Sequence, residues 1–393
     1  MGLENLKTKD AYLEGKKIVL GLSGGMDSIV LLHYLHTHFP KNLRVAHCNH
    51  HLSKHCDNWH VFCQQLCQSL NIPYKNINFY LEKSSNIEEN ARKKRYFSLS
   101  CDLKKDEILC TAHHQNDQAE TLLLQLFRGS GVAGLASMPK KKPLGLGIHY
   151  RPMLEIEKQQ IIDYATHHKL NWIEDDSNKD TNFRRNLLRL EFIPALSKVY
   201  KNLVKSLTRS ARHQSEALKL TRELAELDIQ SHNLTNADDR LKIDTLMILE
   251  THRIKNVLRH QLNRLQFLAP SDKVMDQIIE LLSAKADAKP LVRWDEFEIR
   301  RYQQELYFIN TNSDKIHQKC PIHAELEKLP NFSIRYRTEG QRIKLANKEH
   351  SQSLKKVLQE AGIPPWERNS LKMYYINDEL HAMERLGRME HAD

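Results

Sequence analysis

Ser23-Gly-Gly-Met-Asp-Ser28 stands between the β-favouring run KIVLGL (17–22) and the helical pattern IVLLHYLHTHF. Small residues at a strand-to-helix turn let backbone N–H groups approach phosphate oxygens, and the helix N-terminus adds a favourable dipole, so the loop is an anion cradle. It lacks the Gly-Lys-Ser/Thr ending of a Walker loop and the GxGxxG of a dinucleotide fold. The plain alternative is a glycine turn with Ser and Asp as caps. Ligands of parallel sheets sit at the carboxyl ends of the strands. The exit of the next strand, Ala46-His47-Cys48-Asn49-His50-His51, should therefore face a bound nucleotide, and adenine could stack or hydrogen-bond there. In Thr111-Ala-His-His-Gln-Asn-Asp-Gln-Ala-Glu-Thr121, Asp117 and Glu120 fall at i, i+3 on the first turn of a helix. The pair suits a cationic substrate, and it suits a helix cap equally well. His55, Cys56, His60, Cys63 and Cys67 could form a zinc site, yet no CxxC or HxxxH spacing is present and free Cys is commonly a small core hydrophobe.

The elements that must position these residues alternate. Strands are expected at 17–22, 43–48, 75–80 and 107–111, and helices follow the glycine loop, run over 57–70, open at Ser85-Asn-Ile-Glu88 with a capping box, and run over 116–128 up to Gly129-Ser-Gly131. This beat implies βαβ units and a doubly wound parallel sheet. A long helical stretch follows from Asn186 to about Asp228, and its part from Lys201 to Arg222 carries six Lys or Arg and one Glu, either a solvated face or an RNA-facing surface. The segment 293–309 alternates apolar and polar residues around a polar turn, a hairpin signal; 311–320 reads as a linker, and a small α+β unit follows from Pro321. The 393 residues carry 59 Lys plus Arg against 49 Asp plus Glu, a net charge of +10 that favours a polyanionic partner. No apolar run reaches the ~20 residues of a membrane span, and the N-terminus lacks a secretory h-region, so a cytoplasmic, non-membrane protein is expected. Seven cysteines, six of them between Cys48 and Cys110, read as free thiols in a reducing compartment.

SGGxDS after a strand resembles the PP-loop of the ATP-pyrophosphatase superfamily. The blocks TAHHQNDQAETLLLQLFRGSGVAGLASM, VAHCNHHLS, ARKKRYFSL, YRPMLEIEKQQI, WIEDDSNKDTNFRRNLLRLEFIPAL and SLKKVLQEAGIPPWERNSLKMYYINDEL closely resemble the bacterial tRNA(Ile)-lysidine synthetases. Asn116 departs from the Asp that many members carry there. The resemblance implies a PP-loop catalytic domain at 1–214, a mainly helical tRNA-contacting domain at 215–312, and a small α+β tRNA-binding domain at 320–393. It implies that the wobble cytidine of the CAU-anticodon isoleucine tRNA is adenylated from ATP and then joined to free lysine. Ser23, Gly24, Gly25 and Ser28 would hold phosphate oxygens, His47 would stand at the nucleotide, and Asp27 would face Mg2+. Asp117 and Glu120 match lysine-recognising carboxylates, and Arg92 and Arg185 match arginines near the reacting nucleotide. Lys355, Lys356 and Arg368 are expected on tRNA phosphates, with Trp366 as a stacking or core residue, and homodimerisation is left open. A tRNA thiolase of the same superfamily is the alternative enzyme, disfavoured by the missing CxxC; a non-catalytic RNA-binding protein is the alternative of another class.

Overall fold

The computed structural model describes residues 10–49, 51, 56–80, 87–175, 180–236, 239–284, 290–312, 326–327, 329–338, 340–343 and 351–388. His55, the Cys56 side chain, the capping box of Ser85 and Glu88, and the linker beyond residue 312 lie outside what is described. The chain divides into two compact units, residues 1–221 and 222–393.

The first unit opens with β1 (Lys17–Gly21), α1 (Met26–His38), β2 (Leu43–Asn49), α2 (Cys56–Ser69), β3 (Tyr74–Asn78), α3 (Ile87–Asp102), β4 (Glu107–Cys110) and α4 (Gln115–Phe127). A short α5 (Val132–Leu135), the hairpin β5 (Lys141–Leu144) and β6 (Gly147–Tyr150), and α6 (Lys158–His167) follow. The sheet order is β3-β2-β1-β4-β6-β5, parallel throughout except where β5 returns against β6. Chain order reverses at β1, with β2 and β3 on one side and β4 and β6 on the other, as a doubly wound sheet requires. Both faces are covered, and the period of two shows it. Ile18 and Leu20 pack with Leu31, Tyr34, Cys63, Cys67 and Ile161, whereas Val19 packs with Ala46, Leu99, Leu103 and Leu109 on the opposite face.

The expected long helix from Asn186 is broken into α7 (Arg184–Leu187), a π turn (Leu188–Phe192), α8 (Ile193–Val199) and α9 (Leu203–Ser231). Tyr200 leaves helical geometry (φ -103°, ψ 99°) and Asn202 takes a left-handed φ of 63°, which turns the chain before α9 starts. The division between the two units falls within α9.

In the second unit, β7 (Leu241–Lys242), α10 (Ile243–Leu246), α11 (Thr251–Arg264) and α12 (Asp272–Ser283) precede β8 (Leu291–Trp294), β9 (Phe297–Tyr302) and β10 (Glu305–Asn310). The segment read as one hairpin makes two, β8–β9 and β9–β10, turning at Asp295 (φ 47°) and Gln303 (φ 53°). The helical region therefore carries a four-stranded antiparallel sheet, β7-β10-β9-β8. Its core joins Ile299 and Leu306 to Val257, Leu258 and Ile278 of the helices. The C-terminal part holds β11 (Phe332–Arg335), the pair β12 (Arg342–Ile343) and β13 (Gln352–Ser353), α13 (Leu354–Glu360), and β14 (Met373–Ile376), β15 (Glu379–Met383) and β16 (Gly387–Arg388) in the order β11-β14-β15-β16. Among the described residues no helix is long and apolar enough to cross a membrane.

Candidate active site

Reversal of chain order at β1 leaves a crevice beyond the carboxyl ends of β1 and β4. A cavity of about 490 Å³ opens there, lined by the 21–28 loop, Ala46 and Cys48 of β2, Leu99 of α3, Thr111 to His113 after β4, and Asp117. That size suits a small-molecule site.

The loop is tied by one hydroxyl. Ser28 Oγ donates to Gly25 O (2.9 Å) and accepts from the Gly24 N–H (3.1 Å) and the Ser23 N–H (3.3 Å). Gly25 is the N-cap of α1 and offers no side-chain acceptor, so the N–H groups of Met26 and Asp27 have no acceptor among the described residues. Open donors at a helix start are what an anion requires. Gly24 has φ +88°, and a Cβ there would stand 2.9 Å from Ile173 Cδ1 and 3.2 Å from Cys63 Sγ. The Ile173 N–H donates to Gly24 O (2.9 Å), so the Trp172-Ile-Glu-Asp175 segment lies across the loop and also lines the cavity. Ser23, Gly25, Asp27 and Ser28 face the cavity; Gly24 turns to Ile173 instead.

Asp27 Oδ1 accepts from Lys158 Nζ at 2.6 Å, and its Oδ2 lies 3.5 Å from His114 Nε2. Burial alone would raise its pKa, but His114 and Lys158 hold the carboxyl below the usual carboxylate range. Mg2+ typically takes one or two carboxylates and completes its shell with water and substrate phosphates. A single ionised, one-third-exposed carboxylate beside an anion cradle fits that donor set. Among the described residues no group of three His, Cys, Asp or Glu side chains could hold a metal unaided.

The N-cap of α4 is His114, whose Nδ1 accepts the Asn116 N–H (3.2 Å) while Asp117 Oδ2 accepts the His114 N–H (2.9 Å). Asp117 is therefore the third helical residue of a capping box, and Glu120 takes no part in the cap. Glu120, 1% exposed, takes Arg185 Nε on Oε2 and Arg189 Nε on Oε1, both at 2.7 Å. Asp117 Oδ1 accepts from Arg185 Nη2 (3.0 Å) and Arg189 Nη2 (3.1 Å). Two carboxylates and two guanidiniums thus form one cluster, in which Asp117 and Arg189 line the cavity and Glu120 does not. Burial would push the Asp117 carboxyl up, yet His114, Arg185 and His113 keep it well below its ordinary value. Arg189 sits in the π turn, a feature frequent at functional sites.

The sequence matches the PP-loop domain family over residues 3–196, the TilS substrate binding domain over 241–307 and the TilS substrate C-terminal domain over 332–392. It is 38% identical to the tRNA(Ile)-lysidine synthase of Legionella pneumophila (strain Lens), covering 93% of this chain and 90% of the relative. The chain belongs to the tRNA(Ile)-lysidine synthase family. The enzymes of the same name from Coxiella burnetii (36% identity, 96% and 90% coverage) and Photobacterium profundum (34%, 94% and 92%) extend the likeness. The protein is a PP-loop enzyme, an ATP-dependent ligase.

Set against what the family resemblance implied, four placements differ: Gly24 and Glu120, which do not line the cavity, and His47 and Arg368. His47 faces away from the cavity: it is 5% exposed, donates Nδ1–H to Leu22 O (2.9 Å) and stacks near His60 and Tyr74. The strand alternates, so its neighbours Ala46 and Cys48 face the site. Arg368 is 6% exposed and is not a surface cation; Nε donates to Ile363 O (2.8 Å) and Nη2 to Tyr302 OH (3.1 Å). Trp366 beside it is a packing residue, edge-on to Tyr302 and Tyr307 with Arg300 over its ring. Lys355 and Lys356 are exposed on α13. Cys63 and Cys67 belong to the core, and burial pushes their thiols up to about 12 and about 11. Arg92 stacks on Tyr96 (5.2 Å), and Tyr96 and Arg95 line the cavity.

Lys158, Arg189, Arg95 and His113 were not singled out from the sequence. Arg189 carried a signal, since it lies one helical turn beyond Arg185 in RRNLLRL. Lys158 carried another: a cation at the first position of a helix opposes the dipole and needs an acid partner, here Asp27.

Proposed function

We propose that the enzyme ligates lysine to C2 of the wobble cytidine in the CAU-anticodon isoleucine tRNA through an adenylated cytidine. The observation that carries this reading is that one cavity holds both the phosphate cradle of Ser23 to Ser28 and the ionised Asp117. The cytidine O2 attacks the α-phosphorus of ATP, forming an O–P bond as pyrophosphate departs. The lysine ε-ammonium, held at Asp117, releases its proton to solvent, and the resulting amine attacks C2 as the C2–O bond breaks with AMP as the leaving group. Ser23, Gly25, Ser28 and the open N–H groups of α1 hold phosphate oxygens. Asp27 holds Mg2+, which supplies charge neutralisation at the phosphates. Asp117 receives the lysine ammonium, and Glu120 anchors the two arginines beside it. Mass analysis of nucleosides from isoleucine tRNA, after incubation with ATP and labelled lysine, should reveal a lysine-bearing cytidine. AMP release without a labelled nucleoside would refute the reading.

We assign catalysis to residues 1–214 and tRNA contacts to 215–312 and 320–393, with Lys355 and Lys356 on phosphates. Exchanging both lysines for Ala should reduce the slope of log K against log salt by about 1.4 to 1.8, two phosphate contacts' worth. Arg368→Met should leave that slope unchanged and lower stability by about 1 to 3 kcal/mol, because it strands the acceptor Ile363 O and removes a buried clamp. Equal slopes for the lysine double variant and the wild type would remove α13 from the tRNA surface.

A further inference from the structure

A chain of buried hydrogen bonds ends at the cavity wall. Arg151, 2% exposed, donates Nη1–H to Pro139 O (2.6 Å) and Nη2–H to His149 Nδ1 (3.2 Å). A guanidinium can only donate, so His149 accepts on Nδ1 and carries its proton on Nε2. That nitrogen lies 2.8 Å from Thr111 Oγ1, and Thr111 Oγ1 lies 2.7 Å from His113 Nδ1. The hydroxyl accepts from His149, and its one hydrogen has no other acceptor among the described residues. It therefore goes to His113 Nδ1, which places the His113 proton on Nε2. His113 lines the cavity, and with Nδ1 turned to Thr111, Nε2 is left without a partner among the described residues.

Two further observations set this chain apart from ordinary packing. Arg151 has no carboxylate partner among the described residues, and its buried Nε has no hydrogen bond. The guanidinium also hydrogen-bonds the Tyr96 side chain, but a phenol does not balance a buried charge, which is costly to retain. Burial, together with Arg151, Arg92 and Arg185, lowers the His113 pKa to about 3 against the opposing pull of Asp117, and His149 is likewise kept neutral by burial and Arg151. His113 is thus an uncharged donor with a fixed tautomer, standing beside the phosphate loop. Preorganised donors of this kind act where negative charge gathers in a transition state.

We infer that Arg151 and His149 are positioning residues which hold His113 as an Nε2–H donor to a phosphoryl oxygen of the nucleotide during adenylation. The inference rests on the nucleotide reading of the cavity, so its first test does not use activity. Nitrogen-15 spectra of histidine-labelled full-length protein, with His113 assigned by its loss in His113→Gln, should show a neutral Nε2–H tautomer from pH 5 to 8. An Nδ1–H tautomer, or an imidazolium near neutral pH, would overturn the relay whatever the enzyme makes. Arg151→Met should mix the two tautomers of His113, and an unchanged tautomer would overturn the positioning role. The second test times pyrophosphate release in a single turnover with tRNA. His113→Phe should slow it by about 100-fold to 1,000-fold, the loss of one such donor, with the ATP Kd changed less than about threefold. His113→Gln, whose amide can donate, should recover at least about tenfold of that loss. Pyrophosphate release at the wild-type rate in His113→Phe, or slowing confined to the later lysine step, would sink the phosphoryl assignment. Absence of lysidine from wild-type reactions with the tautomer confirmed would instead count against the substrate reading alone.

Discussion

Asp27→Ala should lower AMP formation by about a thousandfold while the Kd for tRNA stays within about twofold. The carboxylate stands at the mouth of the anion cradle and is kept ionised against its burial by His114 and Lys158. Removing it takes away a carboxylate at the start of α1 that suits a magnesium ion, and losses of a preorganised charge partner at a transferring phosphate reach this size. A purely structural role predicts something else. An ion pair with Lys158 in which each side chain is about one-third exposed contributes only about 0 to 1 kcal/mol, and its loss would leave the rate unchanged. Asp27→Asn refines the result, because it keeps the shape and loses the charge. AMP formation measured from radiolabelled ATP at wild-type rate in both variants would remove Asp27 from the reaction.

The loop and its setting were legible because they are local. A β-favouring run, two glycines and a helical pattern are contiguous, so the strand, the cradle and α1 follow from one short window. Asp117 was legible as an acid on the first turn of α4, and the capping alternative holds in shifted form: His114, three residues earlier, is the N-cap and Asp117 closes its capping box. Histidine is a poor prior for that position, and only the fold shows its Nδ1 accepting a backbone N–H. His47 failed for a different reason. Being at a strand exit locates a residue beside the site, while the strand's period of two decides whether its side chain enters it. Lys158 and Arg189 lie 131 and 69 residues from the acids they meet, and no window of sequence holds both partners. The break at Tyr200 to Asn202 was hidden because nothing in VYKN forbids a helix; a left-handed Asn is a choice made by the surrounding packing.

Asp117→Asn and Glu120→Gln should separate two roles that spacing alone left joined. Glu120 is 1% exposed, places its oxygens on Arg185 and Arg189, and does not line the cavity. Its exchange for Gln leaves two partly exposed guanidiniums against one carboxylate, which should destabilise the fold by about 1 to 3 kcal/mol, read as a lowered urea midpoint. Asp117 lines the cavity; its Oδ2 accepts the His114 N–H and lies 3.6 Å from His114 Nε2, with a lone pair left for an ammonium among the described residues. Asparagine can still accept that N–H and preserve the cap, but it offers no charge to lysine. A hydrogen bond to a charged group contributes about 1.5 to 3 kcal/mol, so the lysine KM should rise about 10-fold to 150-fold in Asp117→Asn. The ATP KM should stay within about threefold, since the phosphate cradle is built from other residues. A neutral lysine analogue should show no such difference between wild type and variant, because it never used the charge. If Asp117→Asn instead loses stability with its lysine dependence intact, Asp117 is a cap and an arginine anchor, and the ammonium must be held elsewhere in the cavity.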